Sequence, residues 1–350
     1  MCPKKCKTFG FACNGLYASH RTPFSYRGSM KQNETNPFEF SDSNKRYYTY
    51  DYFMKKKYGG KCAKIPIDIG LTCPNIDGKC GYGGCIYCSG RGSGDFAELP
   101  SLSVTEQYLR TREKLSSKWS VERCIAYFQA HTNTYAPTNV LRKKFDEALG
   151  LPNLIGINIA TRSDCLGDDV LLYLAELTEK TDITVELGLQ SVFDKTAEII
   201  NRGHTYSQFE DGFARLRAAA PKAFICVHLI FGLPFETRKM MLESVKKVSK
   251  LHPDQIKIHL LHVIKGTKLD KMYEKGDYIP MERQDYIDTV CDALTLIPKD
   301  IVIGRLTGDG MSKTLIAPDW SRKKVTVLND IDKKMFEKNL YQGKFYGKFK

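Results

Sequence analysis

Cys73, Cys85 and Cys88 stand as C-x11-C-x2-C directly behind the apolar run 65–70, which reads as a buried strand. The spacer holds five glycine or proline residues (Pro74, Gly78, Gly81, Gly83, Gly84), so the backbone can fold tightly around whatever the thiolates hold. Thiolates at this spacing bind soft metals, either zinc or an iron–sulfur cluster. A closed structural site wants four ligands. A cluster held by three thiolates leaves one iron free for a substrate or cofactor, which makes the motif reactive. Cys80 forms C-x4-C-x2-C with Cys85 and Cys88 and competes with Cys73 for the ligand role. Cys2, Cys6 and Cys13 follow no ligand spacing and read as free thiols, and Cys62, Cys124, Cys165, Cys226 and Cys291 read as small core residues.

Elements of the right kind surround this loop. Short β-branched runs at 65–70, 124–130, 155–161, 183–189, 224–231 and 256–262 alternate with amphipathic stretches near 104–118, 139–149, 168–180, 207–219, 238–251 and 282–297. Strand and helix in turn imply βαβ units and a parallel sheet. The runs end in Gln129-Ala-His-Thr132, Thr161-Arg162, Gln190-Ser191 and Gly232-Leu-Pro234, at the strand edge where such folds place their sites. The expected fold is therefore α/β, a partial (β/α)6 TIM-like barrel. Residues 1–45 form an irregular basic segment, 46–302 the core domain, and 303–350 a C-terminal extension with a helix through 329–339.

The chain of 350 residues carries a net charge of +13, unevenly spread. Residues 1–64 hold 13 Lys/Arg against 4 Asp/Glu and residues 333–350 hold 6 against 1, which leaves the body nearly neutral. Clustered cations interleaved with aromatics (46–53, 341–349) suit a polyanion with unpaired bases. No apolar run reaches the ~18–20 residues of a membrane span, and the first thirty residues lack the apolar stretch of a signal peptide. Twelve cysteines in a chain of this length point to free thiols in a reducing cytoplasm rather than a disulfide scaffold. Met30 is an alternative start, since regular patterning begins only after it.

The cysteine loop, with Tyr87 before its last cysteine, resembles that of the radical S-adenosylmethionine (SAM) superfamily. Further along, 157–164, 185–191, 201–205, 256–259 and 263–267 resemble, in order, the radical SAM domain of the Elongator catalytic subunit. The YhcC-like radical SAM family is closer still. It shares Cys73-Pro-Asn75, Asp77-Gly78, Tyr127-Phe-Gln-Ala130, Arg162, His228-Leu229, Gly232-Leu-Pro234, His262 and Leu315-Ile-Ala-Pro-Asp-Trp320.

This resemblance implies that Cys73, Cys85 and Cys88 hold a [4Fe–4S] cluster whose free iron chelates SAM. One electron then splits the sulfonium and releases a 5′-deoxyadenosyl radical. By the same resemblance Gln129 and Thr132 meet the methionyl amine, and Thr161, Gln190 and Arg202 meet the ribose and carboxylate. Gly232 and Leu233 let backbone approach the adenine, while Lys257 and His259, with His228 and His262, face the substrate. Lys257 is equally suited to an ion pair with Asp254 or Glu186, Gln190 and Arg202 to hydrogen bonds at strand ends, and the histidines to structural roles.

The Elongator subunit carries an acetyltransferase domain after its radical domain, for which this chain has no room. The expectation is a radical SAM enzyme that modifies tRNA at a wobble-uridine side chain, reduced by a flavodoxin or ferredoxin. A radical SAM enzyme acting on a protein or metabolite is the alternative. A non-catalytic, zinc-stabilised RNA-binding protein using all four cysteines of the loop is a second.

Overall fold

The computed structural model describes residues 38–92, 94–308 and 313–348. Cys2, Cys6, Cys13 and Met30 lie outside the described residues. The strands are β1 Ala63–Ile67, β2 Cys124–Phe128, β3 Leu154–Thr161, β4 Asp182–Gln190, β5 Phe224–Phe231, β6 Gln255–Leu260, β7 Val263–Ile264, β8 Val302–Arg305 and β9 Leu315–Ala317. The helices are α1 Tyr50–Tyr58, α2 Val104–Ser116, α3 Thr138–Leu149, α4 Asp168–Thr178, α5 Asp194–Ile199, α6 Tyr206–Ala219, α7 Arg238–Leu251, α8 Lys268–Glu274, α9 Arg283–Leu296 and α10 Lys324–Glu337.

Seven strands pair in parallel in the order β1-β2-β3-β4-β5-β6-β8, a curled half-barrel with helices outside. The fold is the expected α/β partial barrel with one strand more than the six units read from sequence. The seventh, β8, is four residues long and contains Gly304, too little for an alternating pattern to show. β7 and β9 form a separate antiparallel pair.

The strands separate two environments by simple alternation. Ile157 and Ile159 of β3, Val185, Leu187 and Leu189 of β4, and Ile256 and Ile258 of β6 belong to one buried apolar core, together with α-helical Leu174, Leu216, Val245 and Val290. The residues between them, such as Asn158, Glu186, Gln190, Lys257 and His259, are polar. Parallel strands covered on both faces usually read as continuous apolar runs. Here one face is polar because it lines a cavity.

The opposite end of the sheet is closed by the chain's own ends. Thr49 bridges Ile303, and Lys57 and Tyr58 reach the first residue of β4, Asp182, at 2.8 and 2.5 Å. The Gln342 amide donates to Pro298 and Ile301 carbonyls and accepts from the Tyr48 N–H. The described parts of both basic ends thus meet at the strand N-termini, away from the cysteine loop. Among the described residues, no helix is long and apolar enough to cross a membrane.

Candidate active site

The cysteine loop leaves β1 and is folded by its own backbone. The Cys80 N–H donates to Pro74 O at 2.7 Å and the Gly84 N–H to Asn75 O at 2.9 Å. Gly78, Gly83 and Gly84 have φ of +98°, +75° and +68°, a region closed to most side chains. A latch from the turn after α5 fixes the loop from outside. Asn201 donates to the carbonyls of Tyr82 (3.0 Å) and Gly84 (2.7 Å), and Asn75 donates to Asn201 O (2.8 Å) and to Cys85 Sγ (3.3 Å).

Cys73, Cys85 and Cys88 all line one cavity of about 360 Å³ at the C-terminal strand edge. Cys80 does not. Its thiol is exposed, 4.0 Å from Asp164, in a separate groove with Tyr135 and Cys165. Burial raises the Cys85 thiol, and burial with the neighbouring thiols raises that of Cys88 to about 12. With the Cys85 and Cys88 thiols raised in this way, a thiolate set in this cavity needs a cation beside it. That donor set fits a cluster bound by three thiolates, with a polar cavity beside it. Thr132 donates to Cys73 Sγ at 3.1 Å, a contact suited to a bound thiolate.

The cavity floor is a charge network built by the inner faces of β1 to β6. Buried Glu186 accepts from Lys64 (3.2 Å), Tyr127 (2.6 Å), Asn158 (3.0 Å), His228 (3.0 Å) and Lys257. Burial alone would raise this carboxyl, but Lys257 and Lys64 hold it well below the usual range. Burial lowers Lys257 to about 8 even though Glu186 opposes the shift. Burial also lowers His228 to about 4 and His259 well below its ordinary value, so both rings are neutral at pH 7. His259 Nε2 is buried without a hydrogen-bond partner. Glu186, Cys226 and His228 bring ligand-type atoms within 4.8 Å of one another. Two ammonium groups already occupy that carboxylate, so a metal cation is disfavoured there.

The residues expected to meet SAM are placed unequally. Gln129, Thr132, Thr161 and Gln190 line the cavity. Thr161 shares a 2.5 Å hydroxyl contact with Thr134. Arg202 also lines it, but its guanidinium donates to the carbonyls of Leu189, Ser191 (2.5 Å) and His204 (3.0 and 2.8 Å). Those bonds hold the end of β4. Gly232 and Leu233 are outside the cavity lining: Leu233 is buried in a satellite apolar cluster with Ile86 and Tyr278, and Gly232 O accepts from Tyr278 at 2.8 Å. Of the expected substrate-facing pair, His259 lines the cavity and Lys257 sits behind Glu186 in an ion pair.

Sequence reasoning did not place Lys64, Tyr127, Asn158 or Arg305 in the site, nor Glu186 at its centre. The available signal was a charged residue at alternate positions in otherwise apolar strands, as in Val185-Glu-Leu187.

A half-barrel with a three-thiol loop at its C-terminal rim defines a class, and the chain belongs to the radical SAM superfamily, matching it over residues 76–248 and the Radical_SAM C-terminal domain over 253–337. Within it the chain is YhcC-like. It is 46% identical to protein YtqA of Bacillus subtilis over 91% of this chain and 97% of that one. It is 33% identical to protein YhcC of Escherichia coli over 84% and 94%. A tRNA uridine(34) acetyltransferase of Methanocaldococcus jannaschii is 23% identical over 73% of this chain and 53% of that one. Among solved structures, Elp3 of Methanocaldococcus infernus shares the fold with a TM-score of 0.61 at 18% identity, over 80% of this chain and 64% of that one. The protein is a radical SAM enzyme, and its cofactors are a [4Fe–4S] cluster and SAM.

Proposed function

We propose that this enzyme modifies tRNA at the side chain of a wobble uridine. The reading rests on the relative named tRNA uridine(34) acetyltransferase, whose similarity runs over 73% of this chain. Cys73, Cys85 and Cys88 hold the cluster, and Cys80 stays out of the ligand set because its thiol opens on the other groove. Bound together, cluster and SAM supply hydrogen-atom abstraction from a substrate C–H bond.

The chain's residues bind and orient. Gln129, Thr132, Thr161 and Gln190 present polar groups to SAM along the rim. Arg202 fixes the end of β4, from which Gln190 projects, and Gly232 and Leu233 support the neighbouring strand end. His259 turns an unbonded ring nitrogen to the substrate, while Lys257 and Lys64 keep Glu186 ionised beneath it. The domain limits 46–302 and 303–350, a cytoplasmic location and a flavodoxin- or ferredoxin-type reductant belong to the same reading.

The test compares tRNA nucleosides from a deletion strain with those of the parent. A modified uridine lost, with its precursor accumulating, is the expected result. Identical nucleoside profiles would overturn the tRNA reading in favour of a protein or metabolite substrate.

A further inference from the structure

Several lysines of the described chain ends are ion-paired, although Lys56, Lys61, Lys338, Lys344 and Lys348 are not among the described residues' ion pairs. Lys45 pairs with Asp332, Lys55 with Asp51 (2.6 Å), Lys57 with Asp182 (2.8 Å), Lys333 with Glu337 (3.8 Å) and Lys334 with Asp288. They also cluster away from the cavity mouth, where α1 and the C-terminal tail close the strand N-termini. The cavity rim is different. Lys265, Lys268, Lys271, Lys275 and Lys313 are all exposed, and none makes an ion pair among the described residues. Spacings of three and four put Lys268, Lys271 and Lys275 on one side of α8, opposite buried Leu269.

This helix stands against the cysteine loop. The Leu269 N–H donates to Ile86 O at 2.9 Å, and a Cβ on Gly83 would lie 2.9 Å from Lys268 Nζ. Lys265 N–H donates to Thr314 O at 2.8 Å, which brings Lys313 into the same row. Glu274 and Asp277 are the exposed acids of the segment, so cations are in excess.

Three large rings share this edge of the sheet. Tyr82, at the tip of the cysteine loop, is 76% exposed; Phe235, after β5, is 72% exposed; Phe96, on the cavity wall, is 55% exposed. A lone exposed ring needs no explanation. Three on the strand edge that also carries the unpaired ammonium groups match a strand of nucleic acid, whose phosphates take the cations and whose unpaired bases stack on the rings.

We infer that the rim formed by Lys265, Lys268, Lys271, Lys275 and Lys313, with Tyr82, Phe96 and Phe235, is the surface that grips a single-stranded RNA segment. The inference rests on the tRNA reading above and locates the contact at the cavity mouth rather than at the basic chain ends. A loop held there presents a splayed base to the cavity, whereas a duplex offers phosphates but no base faces.

The test measures binding of the cluster-loaded protein to a tRNA transcript and to a fully paired RNA duplex across a salt series. Changing the five rim lysines to Gln should weaken tRNA binding at least about tenfold. It should also flatten the salt dependence, by up to about 0.7 for each single-strand phosphate that the variant no longer neutralises. Phe235→Ala and Tyr82→Ala should each weaken tRNA but not duplex binding, by roughly fivefold or more for each base stack removed. Iron content and unfolding temperature verify loop and fold, and Phe235→Ala decides the matter if Tyr82→Ala loses iron. Changing Lys55, Lys56, Lys57, Lys333, Lys334 and Lys338 to Gln should cost less than the rim change. Wild-type binding to tRNA with an unaltered rim variant, or with an equal weakening from the chain-end variant, overturns the rim surface alone. No tRNA binding by the wild type overturns the tRNA reading with it.

Discussion

Glu186 and Leu187 are consecutive in β4 and face opposite worlds. Leu187 points out into the apolar core under the helices, where any well-fitting hydrocarbon serves. Glu186 points in and is held by two ammonium groups, a phenol, an amide and an imidazole drawn from five other strand positions. The outer face stabilises the barrel by area buried and the inner face by mutual satisfaction of polar groups. Damage to the outer face is graded. Damage to the inner face leaves charges stranded.

The largest effect expected on the inner side is at the cysteine loop. Changing Cys73, Cys85 and Cys88 together to Ala should abolish iron binding and SAM cleavage, as read by iron analysis and 5′-deoxyadenosine release. Cys80→Ala should retain both. Iron lost with Cys80→Ala but kept with Cys73→Ala would reverse the ligand assignment and place the loop's chemistry outside the cavity.

Glu186→Gln tests the contrast with the outer face directly. Removing the carboxylate from buried Lys257 and half-buried Lys64 should cost about 3–5 kcal/mol in denaturant unfolding. Leu187→Ala should cost a comparable ~2–5 kcal/mol through a cavity. Their pH profiles should separate them. Without the carboxylate Lys257, already lowered to about 8, falls further. Its folded pKa then lies far below its unfolded 10.5, and the unfolded state binds more protons in between. Every variant that keeps Lys257 at about 8 gains stability between pH 8 and 10, but the Glu186→Gln protein should already gain it as pH rises below 8, and the Leu187→Ala protein should not. Parallel profiles would mean the network is not electrostatic in origin.

The inner face should also make the fold acid-sensitive. Burial holds His228 and His204 at about 4, against 6.5 in the unfolded chain. From pH 6.5 down to 4 the unfolded state binds protons that the folded state refuses, so stability falls. Each histidine contributes up to about 3 kcal/mol across that window. His228→Gln should shrink the fall, as measured by unfolding free energies at pH 7 and 5. An unchanged slope would move the titration elsewhere.

How much of this could be read in advance follows the same division. The outer face was legible because Ile157, Ile159, Val185 and Leu187 betray strands by type alone, whatever they pack against. The cysteine loop was legible because ligand spacing is local. Which of Cys73 and Cys80 faces the cavity was not, since the turn made by the Cys80 N–H on Pro74 O decides it. The floor was least legible. Lys64, Asn158, Glu186 and Lys257 are 193 residues apart at their extremes, and parallel register alone brings them together. Arg305 was hidden by the shortness of β8.

The smallest effect separates binding from support at one point on the rim. Gln190 ends β4 at φ +64°, lines the cavity, and its amide has no hydrogen-bond partner among the described residues. Arg202 lies below it with its donors committed to the Leu189, Ser191 and His204 carbonyls. Gln190→Ala breaks no internal bond and keeps a residue with a side chain at that backbone angle, so the unfolding temperature should hold. If the amide meets SAM, affinity should fall by the value of one hydrogen bond to a charged group, about 1.5 kcal/mol or roughly tenfold. Arg202→Ala should do the reverse first, lowering the unfolding temperature because several buried carbonyls lose their donors. Equilibrium binding of SAM to both variants, beside their melting curves, reads the two effects apart. Full SAM affinity in Gln190→Ala would remove the amide from the cofactor site and leave the strand end as scaffold.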